Sequence, residues 1–375
     1  MRDDVGRALE TDSRALSMEL IRHAAEVAWS FRMFLLPRRG LEQTARQIIL
    51  SRFLTGCDEA VFFKSGRSAL RAVFRSLAGL TPHMAVLMPD YICNVVPRAA
   101  RLEGFECIGY RTDDCCAVDK DDLRHRLQSQ PVAAVVLASL FGASNTTPAL
   151  VEAIRSVSPQ TVIVLDECQN LVPDNNVRPD PRTLIVFSFN RKTIPGAMGG
   201  GVAFCRNFLN LHSPKAQARD MVLEFYVWLV VMNQVREHTR AMLRRLHGRP
   251  PYPPPHIEYT PERGRMHYDL EIQRIARLSL CRAVDGMLRF SQLQRARQSN
   301  FIRLQQYLVR SGAGSLLRVE SPQNCPFVPI KLKELRLVGE ISLKGPYGLE
   351  GNPYETLRPS LLCYRNEPIW ERESA

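Results

Sequence analysis

Val162-Ile163-Val164-Leu165-Asp166-Glu167-Cys168-Gln169 is the stretch on which the reading of this chain turns. A short run of Val, Ile and Leu without alternation suits a strand buried on both faces, as in a parallel sheet covered by helices. The run ends on a carboxylate. Burying Asp166 there is costly unless it meets a positive or donating partner. An arginine or a helix N-terminus from the chain itself would serve, and so would the protonated ring nitrogen of a ligand.

It is one of a series of similar apolar runs: Ala85–Met88, Ala133–Leu140, Thr161–Leu165, Leu184–Phe187 and Val202–Phe204. Segments between them, such as Asp121–Gln128 and Leu150–Val157, read as helices. Strand–helix alternation argues for an α/β domain, and in open α/β sheets ligands sit beyond the carboxyl ends of the strands. Residues 1–60 read as helical, with Leu41, Ala45, Ile48, Ile49 and Phe53 at helical spacing, and a further helix is expected after Ser65-Gly66. Residues 266–311 read as helical again, and beyond about 320 the pattern is irregular. Pro250, Pro251, Pro253, Pro254 and Pro255 break any helix and mark a boundary.

The strand ends carry the chemistry. Ser65-Gly66-Arg67-Ser68 opens a helix, where free N–H groups and the positive dipole end suit a phosphate. A plain serine N-cap explains the same residues. Met88-Pro89-Asp90-Tyr91-Ile92-Cys93 offers Tyr91 either as a stacking ring or as a core aromatic. Leu140-Phe141-Gly142-Ala143-Ser144-Asn145 is a site wall or a simple turn. Phe187-Ser188-Phe189-Asn190-Arg191-Lys192 ends another buried run, and Gly199-Gly200-Gly201 leads back into Val202–Phe204. A lysine held in an apolar site loses its charge readily and becomes a nucleophile, whereas most lysines are solvated surface groups.

Taken in order, the small-residue turn, the Asp, and then Ser and Lys before a glycine-rich return resemble the fold type I pyridoxal-phosphate enzymes. The narrower resemblance is to the DegT/StrS family of sugar aminotransferases. It runs from about Leu41 to Phe204 and resumes around Leu278–Leu308. The family's Ser-Gly-x-x-Ala-Leu turn is matched by Ser65-Gly66-Arg67-Ser68-Ala69-Leu70, its Asp-x-x-Gln unit by Asp166-Glu167-Cys168-Gln169, and its Ser-Phe pair, lysine and Gly-Gly turn by Ser188-Phe189, Lys192 and Gly199-Gly200.

The resemblance implies a mainly parallel seven-stranded sheet flanked by helices in a large domain (1–255), and a smaller C-terminal α+β domain (256–375). It implies pyridoxal 5'-phosphate as cofactor, with Lys192 as the Schiff-base lysine and Asp166 on the pyridine nitrogen. Gln169 would lie near the ring hydroxyl, and Tyr91 or Cys93 against the ring face. Ser65, Gly66, Arg67 and Ser188 would hold the phosphate. The implied partners are an amino donor, glutamate by analogy, a keto sugar (nucleotide-linked by the same analogy), and a second copy of the chain. The implied setting is polysaccharide or natural-product biosynthesis. A non-catalytic or differently catalytic protein on a degenerate aminotransferase scaffold is the alternative.

Composition bounds these readings. The 375 residues are 45% hydrophobic and 23% charged, which excludes a disordered or collagen-like chain. The net charge of +12 favours acidic partners such as phosphorylated metabolites. Ten cysteines without a C-x-x-C pair fit reduced thiols in a cytoplasmic protein rather than a disulfide framework or a zinc site. Met1 to Leu20 has no apolar core, so no signal peptide is expected. The eight apolar residues Phe225–Met232 are too few to span a bilayer. No motif points to nucleic acid. The stretch 221–249, with Arg236, Arg240 and Arg244 at four-residue spacing, reads as a packed amphipathic helix with a solvated basic end. The other reading is a segment lying on an anionic membrane.

Overall fold

The computed structural model describes residues 37–113, 116–140, 145, 147–171, 180–189, 193–194, 197–205, 270–311 and the strands of a C-terminal sheet, together with isolated positions between 211 and 240. In chain order the first elements are α1 (Arg38–Arg52), β1 (Glu59–Phe63), α2 (Gly66–Ala78), β2 (Ala85–Pro89), α3 (Val95–Arg101) and β3 (Glu106–Tyr110). They are followed by α4 (Lys120–Ser129), β4 (Ala134–Ala138), α5 (Pro148–Val157), β5 (Val162–Glu167), β6 (Thr183–Ser188) and β7 (Gly200–Phe204). Two helices come next, α6 (Arg277–Leu288) and α7 (Phe290–Ser311).

The seven strands form one sheet in the order β1-β7-β6-β5-β4-β2-β3. The pairs β2–β3, β2–β4, β4–β5 and β5–β6 are parallel, while β7 runs against both β6 and β1. Every residue of β4, β5, β6 and β7 is buried, which is why their sequences are continuous apolar runs. Alternate residues point to opposite faces. Ile163, Leu165, Ile185 and Phe187 join a core with α1, α4, α5 and α6. Val162, Val164, Leu184 and Val186 join a second core with α2 and α3. The result is three layers, helices on each side of a mainly parallel seven-stranded sheet, as expected.

Local chemistry sets the helix starts. Asp119 caps α4 by accepting from the N–H groups of Asp121 and Asp122, and Thr147 caps α5 by accepting from that of Leu150, with Pro148 at the first helical position. Arg155 on α5 donates to both carboxylate oxygens of Asp180 and to the Thr183 hydroxyl, tying the helix to the start of β6.

Three expectations are corrected. The helical reading of residues 1–60 holds for Arg38–Arg52, but Glu59 already belongs to β1, and residues 1–36 lie outside the described part. Strand β3, too, has no apolar run in the sequence, because it is an edge strand with only Tyr110 buried. Second, 270–276 is not helical. It is extended and covers the outer edge of β1: the Lys64 N–H donates to the Gln273 carbonyl, and Arg274 forms an antiparallel bridge with Phe63. Third, the irregular tail contains an antiparallel four-stranded sheet. Its strands are β8 (Gly314–Leu316), β9 (Phe327–Leu332), β10 (Leu349–Glu350) and β11 (Leu361–Arg365), in the order β10-β11-β9-β8.

Candidate functional site

The register brings the quoted segments together. Because β1, β2, β4, β5 and β6 share one direction, their carboxyl ends lie along one rim of the sheet, and antiparallel β7 begins at that rim. Gly200, its first residue, pairs with Phe63 on one side and Ser188 on the other. Asp166 lies level with Ala138 and Val186. So Ser65-Gly66 after β1, Asp166 near the end of β5, Ser188 at the end of β6 and Gly199-Gly200 at the start of β7 converge. They meet on the α2 side, which even-numbered residues of β5 and β6 face.

The helix start at Ser65 is a cap and more. Its hydroxyl oxygen accepts from the Ser68 N–H at 3.1 Å, and the Ser68 hydroxyl donates to the Glu271 carbonyl. Gly66 is the first residue of α2. A Cβ at Gly66 would stand 2.8 Å from Cys168 Sγ and 3.1 Å from Ser188 Cβ. A Cβ at Gly200 would stand 2.5 Å from Gly66 N and 2.6 Å from the Phe187 carbonyl oxygen. Both glycines are therefore required by close backbone approach. They leave the first N–H groups of α2 beside Ser188, at the positive end of the helix. Arg67 is half-buried in the same turn, and Ser188 is buried, its hydroxyl donating to the Gly199 carbonyl at 3.4 Å.

Asp166 is 8% exposed, and one carboxylate oxygen accepts from the Cys168 N–H at 3.0 Å. Burial pushes its carboxyl above the usual value of 3.8, and the hydrogen bonds from Cys168 only partly offset this. No arginine or lysine ion pair to Asp166 occurs among the described residues. The Cys168 thiol is pushed well above 9.0, first by burial and then by the charge of Asp166. Such a thiol is protonated and inert as a nucleophile. Gln169 is half-buried just beyond, Tyr91 is buried and Cys93 half-buried after β2, and the Cys93 thiol is close enough to influence that of Cys168. Lys192 lies outside the described residues, as do Asn190 and Arg191.

Thr193 and Ile194, which follow Lys192 in the chain, are held firmly. The Thr193 hydroxyl donates to the Cys168 carbonyl at 3.1 Å, which ties the 190s loop to the end of β5. The fully buried Arg297 of α7 donates to the Thr193 carbonyl at 2.9 Å. Ile194 packs so closely on α6 that a Cβ at Gly286 would come within 1.9 Å of its Cγ2. Sequence reasoning missed Thr193, Arg297 and Cys168. No pattern in the sequence marks Arg297 as buried. The fully buried Glu167, which accepts from the Ser139 hydroxyl at 3.0 Å on the opposite face, was likewise given no role. Beyond the third strand end the Asn145 amide donates to the Cys116 and Ala138 carbonyls, while Phe141 to Ser144 lie outside the described residues.

No family pattern matches this sequence, and no curated protein is similar to it. Solved structures are. The Streptococcus pneumoniae protein Spr1654 in its PLP form matches with a TM-score of 0.60 at 14% identity over 93% of each chain. A DegT DnrJ EryC1 StrS aminotransferase from Brucella abortus matches at 0.58 and 13% identity over 94% of each. Helicobacter pylori PseC, an aminotransferase involved in the biosynthesis of pseudoaminic acid, matches at 0.58 and 13% identity over 91% of this chain and 88% of that one. Likeness at this level of identity establishes the fold, which is the one these enzymes share.

Proposed function

We propose that this chain is a pyridoxal-phosphate-dependent aminotransferase that moves an amino group from a donor such as glutamate to a keto sugar. The observation that carries the reading is the pair formed by a glycine-lined helix start and a buried carboxylate on one rim of the sheet. Gly66 and Gly200 let the start of α2 lie against β6 and β7 more closely than side chains would allow, and the N–H groups of that helix start suit a phosphate. Asp166 is buried with its carboxyl raised by desolvation, and a cationic ring N–H placed against it would supply a positive partner for the ionised form. Fold likeness to enzymes described in PLP and PMP forms agrees with this donor set.

Bound there, pyridoxal phosphate supplies an electron sink for the electrons released at the donor's α-carbon. The chain supplies the rest. Asp166 would hold a proton on the ring nitrogen, in a low-dielectric setting that would strengthen that contact. Gln169 would serve the ring hydroxyl. Tyr91 and Cys93 would bound the ring face. Ser65, Ser188 and the N–H groups at Gly66 and Arg67 would hold the phosphate. Lys192 would hold the cofactor and would move the proton from the donor's α-carbon. Across the full cycle the donor's amino group replaces the carbonyl oxygen of the keto substrate, and the donor leaves as a 2-oxo acid. A homodimer completes the proposal, following the resemblance.

The test is an absorbance spectrum of the purified chain with added pyridoxal phosphate, beside Lys192→Ala. A visible band that needs Lys192 and bleaches with glutamate is expected. Absence of any Lys192-dependent band overturns the reading in favour of a non-catalytic scaffold.

A further inference from the structure

Thr193, the residue covalently joined to Lys192, is gripped from two directions. Its hydroxyl donates to the Cys168 carbonyl, and its own carbonyl accepts from Arg297 Nη2. Cys168 belongs to the turn after β5 that carries Asp166 and Gln169, and its N–H donates to an Asp166 carboxylate oxygen. Arg297 lies within α7, 104 residues along the chain from Thr193. A continuous series of hydrogen bonds therefore runs from Asp166 through Cys168 and Thr193 to α7. Thr193 is 1% exposed and Arg297 0%, so water does not compete for these bonds. The next residue adds a third hold, because Ile194 seats on α6 where Gly286 leaves no room for a Cβ. A buried guanidinium carries a desolvation cost that a neutral donor would avoid. What it adds is a rigid planar fork of fixed direction.

We propose, on the reading of Asp166 and Lys192 given above, that Thr193 and Arg297 are positioning residues: they set the chain at Lys192 against the turn that carries Asp166. The chemistry makes a demand of this kind. One ring has to meet Asp166 at its nitrogen and Lys192 at its aldehyde carbon, so the spacing between the two chain segments decides whether both contacts form at once. A misplacement of about 1 Å costs about 100-fold in rate. Groups behind the reacting residues hold such a spacing when their own side chains are locked by packing and hydrogen bonds, as these two are. Neither residue touches the cofactor in this proposal. Each acts through the backbone beside Lys192.

The experiment compares the full chain loaded with pyridoxal phosphate as wild type, Thr193→Ser, Thr193→Val and Arg297→Met. Thr193→Ser keeps the hydroxyl, and Thr193→Val loses it while keeping the branched shape, so this pair decides the outcome even where Arg297→Met does not fold. Two readouts report on position rather than on stability. The first is visible circular dichroism per unit absorbance of the Lys192-dependent band, which follows the setting of the bound ring and is independent of how much protein is folded. The second is the rate constant for bleaching of that band by saturating glutamate. Thr193→Val and Arg297→Met should lose dichroism per unit absorbance. Their bleaching rate constant should fall by about 10- to 100-fold with half-saturating glutamate little changed. Thr193→Ser should match wild type in both. Wild-type values in Thr193→Val overturn the proposal, also where its unfolding stability has dropped, because the bonds then serve stability alone. Equal losses in Thr193→Ser and Thr193→Val overturn it too. These failures leave the cofactor reading standing, whereas a wild type without any Lys192-dependent band overturns both.

Discussion

Replacing Gly200 by alanine separates the anion site from general stability. The new Cβ would sit 2.5 Å from Gly66 N, 2.6 Å from the Phe187 carbonyl oxygen and 2.8 Å from Gly66 Cα. All three neighbours are backbone, so no rotamer change relieves the contact. Each distance is short of ordinary van der Waals contact by more than half an ångström, and either β7 or the start of α2 must give. Overpacking of this kind costs about 1–3 kcal/mol. The larger effect falls on binding. Hydrogen bonds from N–H groups to phosphate oxygens need donor–acceptor distances of about 2.7–3.2 Å, and a shift of half an ångström at Gly66 takes them outside that window. One charge-assisted bond is worth about 1.5–3 kcal/mol, so affinity for pyridoxal phosphate falls by about 10- to 100-fold. Denaturant unfolding and a pyridoxal-phosphate titration, each on wild type and Gly200→Ala, measure the two quantities. Wild-type stability and affinity in the variant would refute the packing argument. Reduced stability with unchanged affinity would refute the placement of the phosphate at Gly66.

Other expectations follow from single contacts. Because the Asp166 carboxyl is raised above 3.8, the ligand-free native state binds its proton more tightly than the unfolded chain. Its burial therefore costs stability progressively as pH rises from about 4 through the raised value. Asp166→Asn removes that cost, so unfolding at several pH values should show the ligand-free variant more stable near pH 7 and level with wild type in acid. With pyridoxal phosphate present the order should invert. Arg297→Met deprives the Thr193 carbonyl of its donor and should lower stability by about 1–3 kcal/mol. Arg297→Lys should recover little of this, because the ammonium lacks the planar fork. Gly40 lies in α1 with nothing within 4 Å of an added Cβ, so Gly40→Ala should raise unfolding stability by about 0.5–1 kcal/mol.

Much of this was legible in the sequence for a physical reason. Strands β4, β5 and β6 are buried on both faces, so their register is written in unbroken Val, Ile and Leu. The residue where each run stops is the residue at the rim, which is how Asp166 and Ser188 could be read. Edge elements carry no such mark. Strand β3 buries little, β1 begins within a stretch that reads as helical, and the extended 270–276 segment is defined by backbone contacts to β1 rather than by side-chain pattern. Charge pattern misled at Arg297, which the sequence presents as one more basic residue on a polar helix and the fold buries completely. It misled again at Phe225 and Trp228, where an apolar run suggests burial and the fold leaves the rings outside.

The cover on the β1 edge has a consequence for how the chain is made. The backbone partners of Phe63 and Lys64 on the outer side are Arg274 and Gln273, and on the inner side the strand pairs with β7 at Gly200–Phe204. A ribosome adding about 5–20 residues per second takes roughly 10–40 s to travel from Phe63 to Arg274. For roughly the first 7–28 s of it, until Phe204 is added, the apolar strand Ala60-Val61-Phe62-Phe63 lacks both neighbours it will keep, and until Arg274 it lacks the outer one. Nascent chains stalled before residue 200 should therefore be strong clients of holdase chaperones, and chains extended past 274 weak ones.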